Sequence, residues 1–161
     1  MKAFINSSSY KPSKSSLGFT LIELMVTIAV LAIIVSIAAP NISTQLANQR
    51  VKSTTATLHN ALKEAKVESV IRRQSIILTY NNNNSPKSIV IEGIDGQSIA
   101  SYNYDAKTTI KSGNAKITFS SNKTANEKTY TICDSNTAAS PKQISVSKLG
   151  NITNQPAGSC S

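Results

Sequence analysis

One histidine, two cysteines and a single acid inside an otherwise apolar run are the residues through which this chain of 161 residues could do chemistry. His59 stands alone, so no nucleophile, base and acid constellation can be assembled around it, and it reads as a surface or packing histidine. No glycine loop for phosphate and no convincing metal set accompanies it. An enzyme is therefore not expected, and no cofactor is implied. Arg72 and Arg73 read as a helix end on a solvated face, where they would complement the helix dipole.

Cys133 and Cys160 lie near the C-terminus without a CxxC spacing or a neighbouring histidine. They read as a disulfide, against the alternative of two buried thiols. A disulfide implies an oxidising compartment and would tie the tail onto the fold.

Glu23 is the sole ionisable residue in the run FTLIELMVTIAVLAIIVSIAA at 19–39. At 1.5 Å per residue such a run covers about 30 Å, the thickness of a bilayer's hydrocarbon core. An acid placed there costs about 2.5–3.5 kcal/mol even on lenient insertion scales, so something should offset it. Snorkelling to the interface is the alternative. The leader, 1–18, is polar and carries Lys2, Lys11 and Lys14; removing it leaves fourteen basic against eight acidic residues, a net charge of +6. That excess suits a solvated surface and also permits anionic partners. Leader and flank charges orient the run only weakly, and a paired Cys133 and Cys160 would place the C-terminal side in the oxidising compartment.

These residues need elements to position them. Beyond Pro40, the stretch 41–74 repeats Val51, Thr55, Leu58, Leu62, Ala65 and Ser69 at alternating steps of four and three, which predicts a helix packing on a sheet. From 75 to 161 short β-rich runs follow: SIILTY at 75–80, KSIVIE at 87–92, SIASYNY at 98–104, TTIK at 108–111, AKITFS at 115–120, KTYTIC at 128–133 and QISVSKL at 143–149. The asparagines at 81–84, followed by Ser85 and Pro86, predict a hairpin loop. The expected fold class is α+β: a long N-terminal helix, partly transmembrane (19–40), packed on an antiparallel β-sheet or β-sandwich ectodomain (41–161).

The junction Lys14-Ser15-Ser16-Leu17-Gly18-Phe19-Thr20-Leu21-Ile22-Glu23 resembles the type IV prepilin and pseudopilin family. The resemblance implies cleavage by a prepilin peptidase between Gly18 and Phe19 and N-methylation of Phe19. It assigns Glu23 to filament assembly, paired with a neighbouring subunit's amino terminus, and matches Pro40 to the proline at which the family's helix kinks or melts. Other major and minor pilins, the peptidase and the inner membrane are the partners implied. The expected location is single-pass in that membrane with a periplasmic C-terminal domain, and then the pilus.

The segment TATLHNALKEAKVESVIRRQSIIL is similar to the FimU, FimT and GspH group, through Ala61, Ala65, Val70, Ile71 and Arg72. That likeness implies a minor pilin of FimU type, with a FimT-like DNA receptor or a GspH-like pseudopilin of type II secretion as alternatives. Some DNA-binding members carry a GRxR motif where this chain reads Lys148-Leu149-Gly150-Asn151-Ile152-Thr153. Lys142 and Lys148 remain as contacts for DNA or another anion, without arginine's bidentate fork, so DNA is not the favoured partner.

Overall fold

The computed structural model describes residues 18–160, with the side chains of 38–40 left aside. The leader before Gly18 and the side chain of Pro40 thus lie outside what is described. The chain divides into two units, Met1–Ala38 and Ala39–Ser161.

In the first unit the backbone is helical from Leu21 onward, where α1 (Leu21–Ile71) begins. The Thr20 hydroxyl accepts the Glu23 backbone N–H at 3.2 Å and the Thr20 carbonyl accepts the Leu24 N–H. Thr20 is the N-cap and Glu23 sits at the third helical position, the T-x-x-E arrangement of a capping box. From Leu21 to Ile37 every large apolar side chain is at least half exposed, so this stretch buries no core of its own. Among the described residues no single helix is long and apolar enough to cross a membrane; Leu21–Ile37 and Asn41–Ile71 pass that test only together.

In the second unit, α1 buries the predicted stripe in full: Val51, Thr55, Leu58, Leu62, Ala65 and Ser69 are each at most 2% exposed. Burial of a leucine such as Leu58 contributes about 1.5–3 kcal/mol. The hydroxyls within the stripe find partners, as buried polar groups must. Thr55 donates to the Val51 carbonyl, and Ser69 to the carbonyls of Lys66 and, at 3.2 Å, Ser120. Beside them, the buried Thr54 hydroxyl meets that of Thr108 at 2.9 Å. The helix ends three residues short of the expected 74. Arg73 adopts a left-handed φ of 54° and its N–H turns back to the Val70 carbonyl, which closes the last turn. Arg72 does not cap the end; it pairs with Glu68 one turn earlier at 2.6 Å.

Eight strands follow: β1 (Ile76–Asn81), β2 (Lys87–Gly93), β3 (Ser98–Tyr104), β4 (Thr108–Lys111), β5 (Ile117–Phe119), β6 (Lys128–Asp134), β7 (Lys142–Val146) and β8 (Ile152–Pro156). They form two antiparallel four-stranded sheets, ordered β3-β2-β1-β5 and β4-β6-β7-β8. The 81–86 loop is the β1–β2 hairpin. Alternating positions point inward: Ile76 and Leu78 of β1 lie opposite Phe119 and Ile117 of β5, while Tyr130 and Ile132 of β6 face the same core. Strand β8 has no counterpart among the predicted runs. Its burial pattern shows why: only Ile152 is even half-buried and the other four residues are exposed, so it lacks the apolar alternation that marks a strand.

Candidate functional site

The N-terminal junction is open. Gly18 is exposed with no atom within 4 Å of where a Cβ would stand, and Phe19 is 80% exposed. Glu23 lies in the first turn of α1, where the helix dipole favours a negative charge. The Thr20 cap was not anticipated from the sequence, although the T-x-x-E spacing that signals it is there to be read.

In the second unit Cys133 and Cys160 are joined as a disulfide, with Cα atoms 5.9 Å apart. The bond carries the tail beyond β8 back to β6, and Lys111 of β4 holds the Cys160 carbonyl at 2.5 Å. Lys142 and Lys148 are not brought together. They stand at the start of β7 and just past its end, six residues and roughly 20 Å of extended chain apart. Lys148 is exposed, and its carbonyl accepts the Ala125 N–H. Gly150, in the β7–β8 turn, has φ 66° and donates its N–H to Ser147 at 2.8 Å. Its carbonyl accepts from the Lys66 ammonium at 2.8 Å.

His59 is half-buried, and its Nδ1 is shielded without a hydrogen-bond partner. Burial first, and then the nearby Lys63 charge, hold its pKa below the ordinary value, so it is neutral at pH 7. Among the described residues no three His, Cys, Asp or Glu side chains come together as metal ligands would.

Residues 13–39 match the family model described as the prokaryotic N-terminal methylation motif. Two crystal structures of the type IV minor pilin FimU of Pseudomonas aeruginosa PAO1 superpose with TM-scores of 0.58 and 0.60, at 22% and 23% identity. The alignments cover 68% and 70% of this chain and 99% and 96% of FimU. The chain thus carries a prepilin-type methylation motif at its N-terminus and shares the fold of this minor pilin. The minor pseudopilin EpsH of the Vibrio cholerae type 2 secretion system also superposes, with a TM-score of 0.55 at 8% identity, over 68% of this chain and 98% of EpsH. No curated protein matches in sequence. The motif covers the apolar run with Gly18, Phe19 and Glu23, while the likeness to solved structures establishes the fold alone.

Proposed function

We propose that the chain is made as a prepilin, cut between Gly18 and Phe19, methylated at Phe19, and held in the inner membrane by residues 19–40 with its C-terminal domain in the periplasm. From there it enters a type IV pilus as a minor pilin of FimU type, helping to initiate assembly for twitching motility or adhesion, with no enzymatic activity of its own. The observation that carries this reading is the exposure, on every face, of the large apolar side chains from Phe19 to Ile37. A helix apolar all round has no side to offer water, so it requires lipid or a bundle of similar helices, and a prepilin occupies each in turn. The disulfide agrees with a periplasmic domain.

The likeness to EpsH supports a second reading, a minor pseudopilin of type II secretion with the same leader and anchor. DNA uptake is less favoured, because Lys142 and Lys148 stand apart and neither has a guanidinium fork. Deletion of the gene tests the first reading. Loss of surface pili, restored by the wild-type gene, is expected; normal piliation with a secretion defect would move the chain to the pseudopilins. Mass spectrometry of the membrane protein should find an N-methylated Phe19 at the amino terminus, and a chain retaining Lys14 would contradict the processing.

A further inference from the structure

Half-buried lysines in this fold are usually tethered. Lys66, Lys87 and Lys128 each donate to backbone carbonyls, of Gly150, of Thr108, and of Asn114 and Lys116. Lys142 is also half-buried and is tethered to nothing in the described residues. It enters a hollow of about 310 Å³ between α1 and the β7–β8 edge, together with Lys52, His59, Asn60 and Asn154. Among the described residues none of these five side chains has a hydrogen-bond or ion-pair partner, and no acid lines the hollow. Lys142 and His59 are half-buried there and Lys52, Asn60 and Asn154 exposed, so the hollow carries two ammonium groups and no carboxylate to balance them.

The groove continues. Lys52, Ala56, His59, Lys63 and Lys66 follow one another along α1 at steps of four, three, four and three, so they share one face. The lower part of that face opens on a second hollow of about 340 Å³, whose floor includes the apolar Val67 and Ile152. The acids of the same helix are directed elsewhere: Glu64 accepts the Tyr102 hydroxyl and Glu68 pairs with Arg72. Strand β8 borders both hollows and ends its sheet. Ser147 and Pro141 bond to Asn151 and Ala157, so odd-numbered residues from 151 to 157 face β7. By antiparallel alternation, the N–H and C=O groups of Ile152 and Asn154 point to the open edge.

We propose that this groove seats an extended, acidic segment of another protein, its main chain along the open edge of β8 and its carboxylates on Lys52 and Lys142. Edge pairing supplies direction and register, and the lysines supply the charge preference. Pro156, which lacks an N–H, ends the pairing edge. A concavity of this size admits a single strand, whereas a DNA duplex meets a protein through an exposed basic surface. The site uses only residues of the second unit and none of the apolar 19–40 segment, so the proposal stands or falls independently of the filament role.

His59, the sole histidine of the chain, is a built-in reporter. The charged groups around it are Lys52 and Lys63 on its own helix and Lys142 on β7, while β8 contributes the neutral Asn154. An arriving carboxylate counters those charges and raises its pKa. The experiment is an NMR titration of the His59 imidazole in the full mature chain, held in neutral detergent micelles, with the blocked peptide acetyl-Val-Glu-Val-Glu-Val-Glu-amide. A saturable shift and a higher titration midpoint are expected. Lys52→Glu combined with Lys142→Glu should weaken binding about tenfold or more, and Lys148→Glu should leave it unchanged. If the double variant does not fold, Lys52→Ala at an exposed position gives the same reading with a smaller loss. Absence of a saturable shift, equal binding by the lysine variants, or tighter binding of inorganic phosphate or a short thymidine oligonucleotide at this site would overturn the proposal.

Discussion

Arg50 of α1 and Asp134 at the end of β6 form a two-point ion pair, Nε to Oδ2 at 2.8 Å and Nη2 to Oδ1 at 2.9 Å. The Asp134 side chain is fully buried and that of Arg50 is 15% exposed, with Asp105 at 3.8 Å as a second, more exposed acid. Asp134 follows Cys133 directly, so this pair fixes the helix to the strand that also holds the disulfide. Planar two-point geometry makes the contact specific to arginine.

The pair should give the fold a distinct acid sensitivity. The Arg50 hydrogen bond holds the Asp134 carboxyl below the ordinary range, against the opposing effect of burial. Because this pKa is lower in the fold than in the unfolded chain, its contribution is complete above the unfolded value, near pH 4, and is lost as pH falls through the depressed folded value. Arg50→Ala should therefore lower the melting temperature by several degrees at neutral pH, and the gap to wild type should narrow below about pH 4. Circular-dichroism melts across that range check it. A gap independent of pH would mean that the guanidinium acts by packing alone.

Cys133→Ser with Cys160→Ser should reduce stability by about 3.5 kcal/mol, the loop-entropy value for a bond spanning 27 positions. Denaturant unfolding of the double variant and of reduced wild-type protein should then coincide. A reduced protein as stable as the oxidised one would show that the tail is held by its other contacts, such as Lys111 on the Cys160 carbonyl.

Gly150 and Gly96 both have positive φ, 66° and 79°, but only Gly150 is crowded. A Cβ on Gly150 would stand 2.4 Å from the Lys123 carbonyl oxygen, a backbone atom, whereas nothing lies within 4 Å at Gly96. Gly96→Ala should cost about 1 kcal/mol for the left-handed backbone, and Gly150→Ala about 2 kcal/mol or more, since the β7–β8 turn must also shift. Equal losses in urea unfolding would remove the close approach as a cause.

Glu23→Ala should leave insertion and folding of the second unit intact while reducing the variant in sheared filaments. Insertion should become easier, because alanine replaces a group that hydrocarbon penalises. The Thr20 cap, made to a backbone N–H, survives the change. In the proposed filament, what is removed is the carboxylate offered to the amino terminus of an adjacent subunit, whose charge would then lie unpartnered among apolar helices. Immunoblots of sheared pili, normalised to the amount in the inner membrane, decide it. Wild-type incorporation would mean that Glu23 lies at the interface without pairing.

Periodic and contiguous signals were legible in the sequence. The stripe from Val51 to Ser69 lies wholly on the buried face, since a 3.6-residue period exposes the same side of a helix whatever packs on it. The runs at 98–104 and 108–111 are β3 and β4 to the residue, bounded by turn formers. The cysteine pairing followed from having only two cysteines to join.

Relations between distant residues were not legible. Neither the division of the strands between two sheets nor the return of β5 to β1 is written in any local pattern, because it depends on which apolar faces close over α1. Edge strand β8 escaped notice because an edge needs few buried residues. Arg50 meets Asp134, and Lys66 the Gly150 carbonyl, across 84 residues, and nothing near either partner announces the other. The sequence by itself determined the N-terminal half of this protein's character: junction, acid and apolar run are contiguous, and their chemistry needs no tertiary partner within the chain. Only the tertiary structure decided how the lysines are disposed, tethering Lys66 to a carbonyl and setting Lys52 and Lys142 around one hollow beside an open edge, because burial and hydrogen bonding are properties of the packed whole.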